Sequence, residues 1–360
     1  MPPALYARAM RRSASTLITL AVAGLLAIVA TACGTPKKAG VNGVPDAGTG
    51  IGQPSPFLSA NLSTISCGSG TLCAAGGAPF EGGAATPILA YSHTSGAKWS
   101  PARSSSGAGA TITSTACAAT RCMAVGIIDA LPLLLSISTS SPSRTWTSTA
   151  QPSAGTVVAV GCAGTSTCLG LARTSTGSLE TVRSTRGPWS SLGSPPTDLA
   201  SPVSMDCVST RVCTAVGTSA TGTPVVMVTR SGGTTWSLAE ISKKATVILG
   251  ASCRIDGVCW VVGRKGAATL VVRSSRPDTP FLKVVPPDGL GSVNDVSCAG
   301  TTCVLAGASS SGQGAAAAYF GASASILDVS FAPTPLLTVS CGTATACSAA
   351  TTSSLVDLKP

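Results

Sequence analysis

Cysteines are the residues of this 360-residue sequence best suited to chemistry, and it has fifteen of them. Fourteen fall into seven close pairs: Cys67/Cys73, Cys117/Cys122, Cys162/Cys168, Cys207/Cys213, Cys253/Cys259, Cys298/Cys303 and Cys341/Cys347. The first members of successive pairs stand 50, 45, 45, 46, 45 and 43 residues apart. Each pair encloses a small polar turn and is flanked by apolar stretches, the pattern of a β-hairpin bridged across its two strands. Thiolate pairs can also bind zinc, but structural zinc sites use shorter spacings and converge four ligands on one ion. The spacing therefore favours hairpin disulfides over metal. Each bridge closes a loop of about seven residues, worth roughly 2 kcal/mol in the chain-entropy model.

Groups for acid–base or nucleophilic catalysis are scarce. The single histidine, His93, falls in a polar turn, so a Ser-His-Asp arrangement would have to be built there. The chain has no HExxH, no P-loop and no C-x-x-C dithiol. Beyond residue 32 the tyrosines are Tyr91 and Tyr319, and the glutamates are Glu81, Glu180 and Glu240. Asp206 and Asp295, leading into strands, are the acids best placed for hydrolysis by paired carboxylates. The plainer reading makes them solvated strand-entry residues. No catalytic set, metal site or cofactor is expected.

The elements that would carry these residues repeat with a period of about 45, the length of one four-stranded propeller blade. After each cysteine hairpin comes an apolar strand, clearest in ILAYS (88–92), LPLLLSIST (131–139), PVVMVTR (224–230) and ATLVVRS (268–274). A polar turn follows and ends at Trp99, Trp146, Trp189, Trp236 or Phe281. From each of these aromatics to the next cysteine is 18, 16, 18, 17 and 17 residues. Two features thus keep one register. The aromatics are expected to pack between blades, with stacking on a ligand as the alternative.

The turns resemble the Asp-box, a Ser/Thr-x-Asp-x-Gly-x-Thr-Trp hairpin. Ser92, Gly96 and Trp99 match it, as do Thr229, Gly233, Thr235 and Trp236, while Thr94, Ser141 and Ser231 stand where the aspartate would be. Residues 51–360 are thus similar to the Asp-box repeat superfamily, which includes sialidase-like and photosystem-assembly-factor-like propellers. The resemblance implies an all-β fold: a seven-bladed β-propeller of four-stranded antiparallel blades, here with one hairpin disulfide per blade. It also implies that the Asp-box is a structural hairpin between third and fourth strands. Sialidase-like activity would need an arginine triad, a Tyr–Glu pair and an acidic acid/base, and no such set falls in matching blade positions. The last repeat is short. Residues 51–62 are expected to supply its missing outer strand and close the ring, removing exposed sheet edges.

The first 32 residues carry Arg8, Arg11 and Arg12, then an apolar run from Leu17 to Ala30, the layout of a secretory signal. The run ends in Ala30-Thr31-Ala32-Cys33-Gly34, which resembles a bacterial lipobox and implies lipid attachment at Cys33. An ordinary signal cut near Ala32 would leave a free thiol, the one cysteine without a mate. Residues 33–50 read as a Gly/Pro-rich tether. The expected location is the extracytoplasmic face of the cell membrane, an oxidising compartment suited to disulfides.

Formal net charge is +10 and falls to +7 without the three N-terminal arginines. The basic residues are scattered, which argues against nucleic-acid binding. Lys243, Lys244, Arg264 and Lys265 are expected to share one face and to attract an acidic partner, or else to form a solvated basic loop. The functional expectation is a monomeric, membrane-anchored, non-enzymatic binding or scaffold module for an envelope protein or polymer. A glycan-active hydrolase or lyase and a membrane-complex assembly factor are the alternatives. A channel lined by Ser, Thr and Ala would favour the module, and clustered acids and aromatics the enzyme.

Overall fold

In the computed structural model, each blade carries one disulfide across a hairpin. The bridges are Cys67–Cys73, Cys117–Cys122, Cys162–Cys168, Cys207–Cys213, Cys253–Cys259, Cys298–Cys303 and Cys341–Cys347. These are the seven pairs that the spacing predicts, and none is left open as a thiolate pair for zinc. The structure describes residues 60–79, 88–101, 103–104, 110–140, 145–193, 198–239, 241, 245–275, 279–321, 323–327 and 332–360. In each hairpin the two cysteines sit directly opposite one another, with Cα atoms 3.9 to 4.1 Å apart. This is the close side-chain approach of a non-hydrogen-bonded antiparallel pair.

Blade four shows the plan. Ser201–Cys207, Cys213–Thr218, Pro224–Thr229 and Ser237–Ala239 are hydrogen-bonded in that order as inner, second, third and outer strands. The other inner strands are Ala60–Cys67, Thr111–Cys117, Thr156–Ala163, Val247–Cys253, Ser292–Ala299 and Thr338–Thr343. Each inner strand packs on the next, and that of blade seven packs on that of blade one, which closes the ring.

Blade seven has three described strands, ending at Leu355–Leu358. Residues 51–59 of the expected closing stretch lie outside the described residues. Its last three residues belong elsewhere: Ala60, Asn61 and Leu62 pair with Pro79, Ala78 and Gly77 in blade one. Leu62 N also donates to Thr352 O of blade seven at 2.9 Å, so blade one's inner strand itself ties the two ends of the ring. Blade two gains a strand that the repeat pattern does not contain. Arg103–Ser104 pairs in parallel with Thr145–Trp146 along its outer edge.

The core is divided among the seven seams between blades. Leu72, Leu89, Ile112, Leu135 and Trp146 fill the seam between blades one and two. Val216, Val228, Val261 and Phe281 fill that between four and five. Leu62, Ile65, Ala350 and Leu355 join seven to one. Small side chains suit such thin seams, where large ones would hold the sheets apart.

The aromatic turns seat blades one to five each on the blade before it. Trp189 is buried in the seam with blade two, and Trp99 packs against the seam with blade seven. Trp236 packs on blade three and its Nε1 donates to Thr181 Oγ1 at 3.0 Å. Two of these turns share one pattern of hydroxyl hydrogen bonds. Ser92 Oγ accepts from the backbone N–H of Thr94 and Gly96, both at 3.1 Å, and Thr94 Oγ1 accepts from Lys98 N at 2.8 Å. In blade four Thr229 Oγ1 and Ser231 Oγ repeat this arrangement. The short hydroxyls close the turns by accepting from their backbone N–H groups. Gly96, at φ 90°, takes the left-handed conformation that such a turn demands.

These turns lie at the same end of each blade as the disulfide hairpins. Ser95 N donates to Thr71 O, and Gly232 N to Arg211 O, both at 2.9 Å. We call this end the disulfide face. The loops between second and third strands, and those from one blade to the next, form the opposite face.

Candidate binding channel

The inner strands surround a central cavity of about 610 Å³ to which all seven blades contribute. Its wall is set by a feature that recurs along the chain. Blades one to six each carry a β-bulge four residues before the first cysteine, at Ser63, Thr113, Val158, Val203, Leu249 and Asn294. A bulge leaves its residue out of the ladder and re-aims the side chain. Opposite the bulge the second strand often has a glycine. At Gly126 and Gly217 a Cβ would run into the carbonyl of Thr111 or Ser201. Ser63, Thr113, Val203, Leu249 and Asn294 line the cavity on the side of the opposite face. This collar is apolar on blades four and five, where Val203 is 57% exposed, and polar on blades one, two and six.

In six of the seven disulfides, all but Cys253–Cys259, the two halves stand differently to this cavity. The inner-strand members Cys67, Cys117, Cys162, Cys207, Cys298 and Cys341 reach its wall near the disulfide face. Their mates Cys73, Cys122, Cys168, Cys213, Cys303 and Cys347 begin or enter the second strands, outside the lining and buried, as does Cys259 of the Cys253–Cys259 bridge. Cys122 and Cys168 fill the seams of blade two with blade one and of blade three with blade two, and Cys259 and Cys303 do the same for blades five and six. The bridges thus pin the second strand to the channel wall and offer no thiol to a ligand.

Above the bridges, hydroxyls tie blade to blade. Cys117 N donates to Ser66 Oγ at 2.8 Å, Cys298 N to Ser252 Oγ at 3.0 Å, Cys341 N to Ser297 Oγ at 3.0 Å and Cys67 N to Ser340 Oγ at 2.7 Å. Each of these serines directly precedes the first cysteine of its own blade. In blades two, three and four that place is taken by Ala116, Gly161 and Asp206. Asp206 keeps the belt running in another way, because its Oδ2 accepts from Ser252 Oγ at 2.5 Å.

Two residues earlier a second belt runs in parallel. Thr64 Oγ1 accepts from Thr115 N at 3.0 Å. Asp295 Oδ2 accepts from Val339 N at 2.9 Å and from Thr338 Oγ1 at 2.8 Å, and its Oδ1 from Val296 N at 2.8 Å. The neighbouring position of blade five is Gly250, where a Cβ would collide with Asp295 Oδ1. The two aspartates therefore flank blade five on one wall of the channel.

Both carboxyl groups titrate above the usual range. Burial pushes Asp295 up to about 6, helped by the charge of Asp206 and opposed by the bonds from Val339, Thr338 and Val296. Burial raises Asp206 too, against its bonds from Ser252 and Cys207. The plain sequence reading makes these residues strand-entry acids in solvent. The structure puts them within inner strands, lining the channel and bonded across blade seams.

The other candidates lie away from the channel. His93 is in a turn of the disulfide face, edge-on to Tyr91 with ring centroids 5.2 Å apart. Tyr319 leans on Trp260 at 4.6 Å, and Glu180 on a third strand accepts from Ser191 Oγ. Arg264 and Lys265 end the second strand of blade five on the opposite face. Arg264 Nη2 donates to Asn294 Oδ1 at 3.4 Å, which links it to the collar. Lys243 and Lys244, together with Cys33 and the rest of residues 1–50, lie outside the described residues. Among the described residues no three His, Cys, Asp or Glu side chains gather that could hold a metal ion. Among the described residues, the channel lining contains no aromatic and no base.

The chain is a seven-bladed β-propeller. No protein-family model matches it, and no curated protein does. Among solved structures, YCF48 bound to D1 peptide is similar with a TM-score of 0.58 at 16% identity, over 86% of this chain and 95% of that one. YCF48 from Cyanidioschyzon merolae gives 0.58 at 12%, over 85% and 98%. Virginiamycin B lyase from Staphylococcus aureus gives 0.58 at 10%, over 85% and 97%. At these identities the likeness is one of fold, and a fold shared by a peptide-bound propeller and a lyase does not choose between those activities.

Proposed function

We propose that this protein is a binding or scaffold module, lipid-anchored through Cys33 on the extracytoplasmic face of the membrane. It would hold a segment of an envelope protein, or an envelope polymer, at the mouth of its central channel. One observation carries the reading. The channel wall is built of hydroxyl, methyl and backbone groups from seven blades, with an apolar arc at Val203 and Leu249 and two carboxyl groups below it. Such a surface can hydrogen-bond an extended chain and bury one or two of its side chains. That YCF48 is known bound to a peptide agrees with a propeller serving this role.

A hydrolase or lyase reading has one specific observation in its favour, the raised pKa of Asp295, since a carboxyl near 6 can exchange protons at neutral pH. Against it, both carboxyl groups already accept hydrogen bonds across blade seams, and no aromatic among the described residues lines the channel to stack on a sugar ring.

Photo-crosslinking separates the readings. A crosslinking residue in place of Val203 or Leu249 should trap a discrete envelope component, and the same residue at Leu238, on an outer strand, should not. Equal labelling from both places would refute a channel-mouth site. Turnover of glycoside or ester substrates that is lost in Asp295→Asn would replace the module with an enzyme.

A further inference from the structure

We propose that the disulfide face is a membrane-docking face, which lies against anionic phospholipid and leaves the opposite face and the collar free for a partner. The observation is an uneven distribution of charge over the two ends of the ring.

On blades one to four, Lys98, Arg121, Arg183, Arg186, Arg211 and Arg230 stand in or beside turns of the disulfide face. No described turn of that face on those blades holds an acid. The first acid met is Asp256 in blade five, already held by Arg254 Nη2 at 2.5 Å. The arginines spread along the seams. Arg121 Nη1 donates to Ser184 Oγ at 3.0 Å and Arg186 Nε to Ser166 Oγ at 3.4 Å, the first of these between blades two and three. At the next seam, Arg183 of blade three and Arg211 of blade four both lie within 4 Å of the position that a Cβ on Gly232 would take. On the opposite face Arg173, Arg264 and Lys265 are interspersed with Asp129, Glu180, Asp198 and Asp288.

The shape of the patch selects the partner. A small anion would need donors converging on one pocket, whereas these cations follow an arc over several blades. An arc of separated charges matches a plane of phosphate headgroups, each base adding its share of attraction. Beyond the arc, the same face carries the Arg254–Asp256 pair, Arg273 and Asp357, and two exposed apolar side chains beside them. Ile255, in the disulfide-hairpin turn of blade five, is 69% exposed, and Phe320, entering a turn of blade six, is 45% exposed. Basic groups beside outward apolar side chains make an interfacial surface, with the apolar groups entering the headgroup boundary. The inference is separate from the collar, which lies at the other end of the ring, although Ile255 also borders the cavity on the disulfide side.

The test uses residues 48–360, a compact unit by themselves and free of the lipid-attachment cysteine. Co-sedimentation is measured with vesicles of phosphatidylcholine alone, and of phosphatidylcholine mixed with phosphatidylglycerol. Binding is expected to the mixed vesicles and to weaken as salt rises. Each base removed should lower the partition coefficient about fivefold, so Lys98→Gln/Arg186→Gln/Arg211→Gln should lose about a hundredfold. Lys265→Gln on the opposite face should change nothing. Ile255→Ser/Phe320→Ser should weaken the binding that persists at high salt. The proposal is overturned if neutral vesicles bind equally well, if the triple variant, melting as wild type does, binds as wild type, or if soluble polyglutamate is bound while vesicles are not. That last result would assign the face to an acidic polymer.

Discussion

Replacing Asp295 with Asn should reverse its effect on stability between acid and alkaline pH. In the folded protein the carboxyl titrates at about 6, above the ordinary carboxylate value near 4. A carboxyl whose pKa rises on folding favours the folded state when protonated. Its contribution is therefore fully present below about pH 4 and is lost as pH climbs through about 6. A shift of about two units corresponds to roughly 3 kcal/mol between the two ends of that window. Asn carries no charge at any pH and escapes this loss. Its amide can present one oxygen to Val339 N and Thr338 Oγ1, but the other end is then an N–H₂ facing the N–H of Val296, a bond lost at about 1 kcal/mol. The variant should thus be about 1 kcal/mol less stable than wild type at pH 4 and about 2 kcal/mol more stable at pH 8. Urea denaturation of the oxidised protein at the two pH values, followed by tryptophan fluorescence, reads both differences. Equal destabilisation at pH 4 and pH 8 would refute the reasoning, because it would mean that Asp295 acts only as a hydrogen-bond acceptor. Asp206, also raised by burial, leaves a residual slope of the same sign in the variant, and Asp206→Asn/Asp295→Asn should flatten it further.

Three further outcomes are expected. Cys207→Ser/Cys213→Ser opens one hairpin and should cost roughly 2 kcal/mol of stability, measured by denaturation, without changing the elution volume of the protein in gel filtration. Trp236→Phe removes the indole bond to the buried Thr181 hydroxyl and should cost about 1 kcal/mol, whereas Trp146→Ala, emptying a fully buried site, should cost about 3–5 kcal/mol. Cys33→Ala should move the protein from the membrane to the soluble extracytoplasmic fraction when membranes are washed at high salt, which releases electrostatic docking; retention in the pellet after that wash would remove the lipid anchor from the proposal.

The architecture is legible because one covalent requirement recurs. A disulfide across a hairpin constrains both spacing and burial, so the cysteines mark the same turn in every repeat, and the aromatics mark a second turn in register with it. Other parts are illegible for specific reasons. The strand at Arg103–Ser104 has no counterpart among the described residues of the other repeats, and parallel pairing along an outer edge leaves no periodic mark in two residues. Lys98, Arg121, Arg183, Arg186, Arg211 and Arg230 are far apart in sequence, and only the alternation of strand direction gathers them on one end of the ring.

The aspartates are a different case, since the sequence does contain their signal. Aligned on the first cysteine, the preceding column reads Ser66, Ala116, Gly161, Asp206, Ser252, Ser297 and Ser340, and the column two residues earlier reads Thr64, Ser114, Ala159, Ser204, Gly250, Asp295 and Thr338. Each column holds small or hydroxyl residues and a single acid. The position of a repeat fixes what its side chain can reach, so an acid in a hydroxyl column must accept hydrogen bonds where its counterparts pass them on. The alanine and glycine at Ala116 and Gly161 have no hydroxyl to offer, and the belt is interrupted there. The channel thus has an interrupted side on blades two and three and an acidic side on blades four and six. On the proposed reading, that asymmetry would give the ring a direction in which to hold a ligand, and substitution of Asp206 or Asp295 should then most change what the channel accepts.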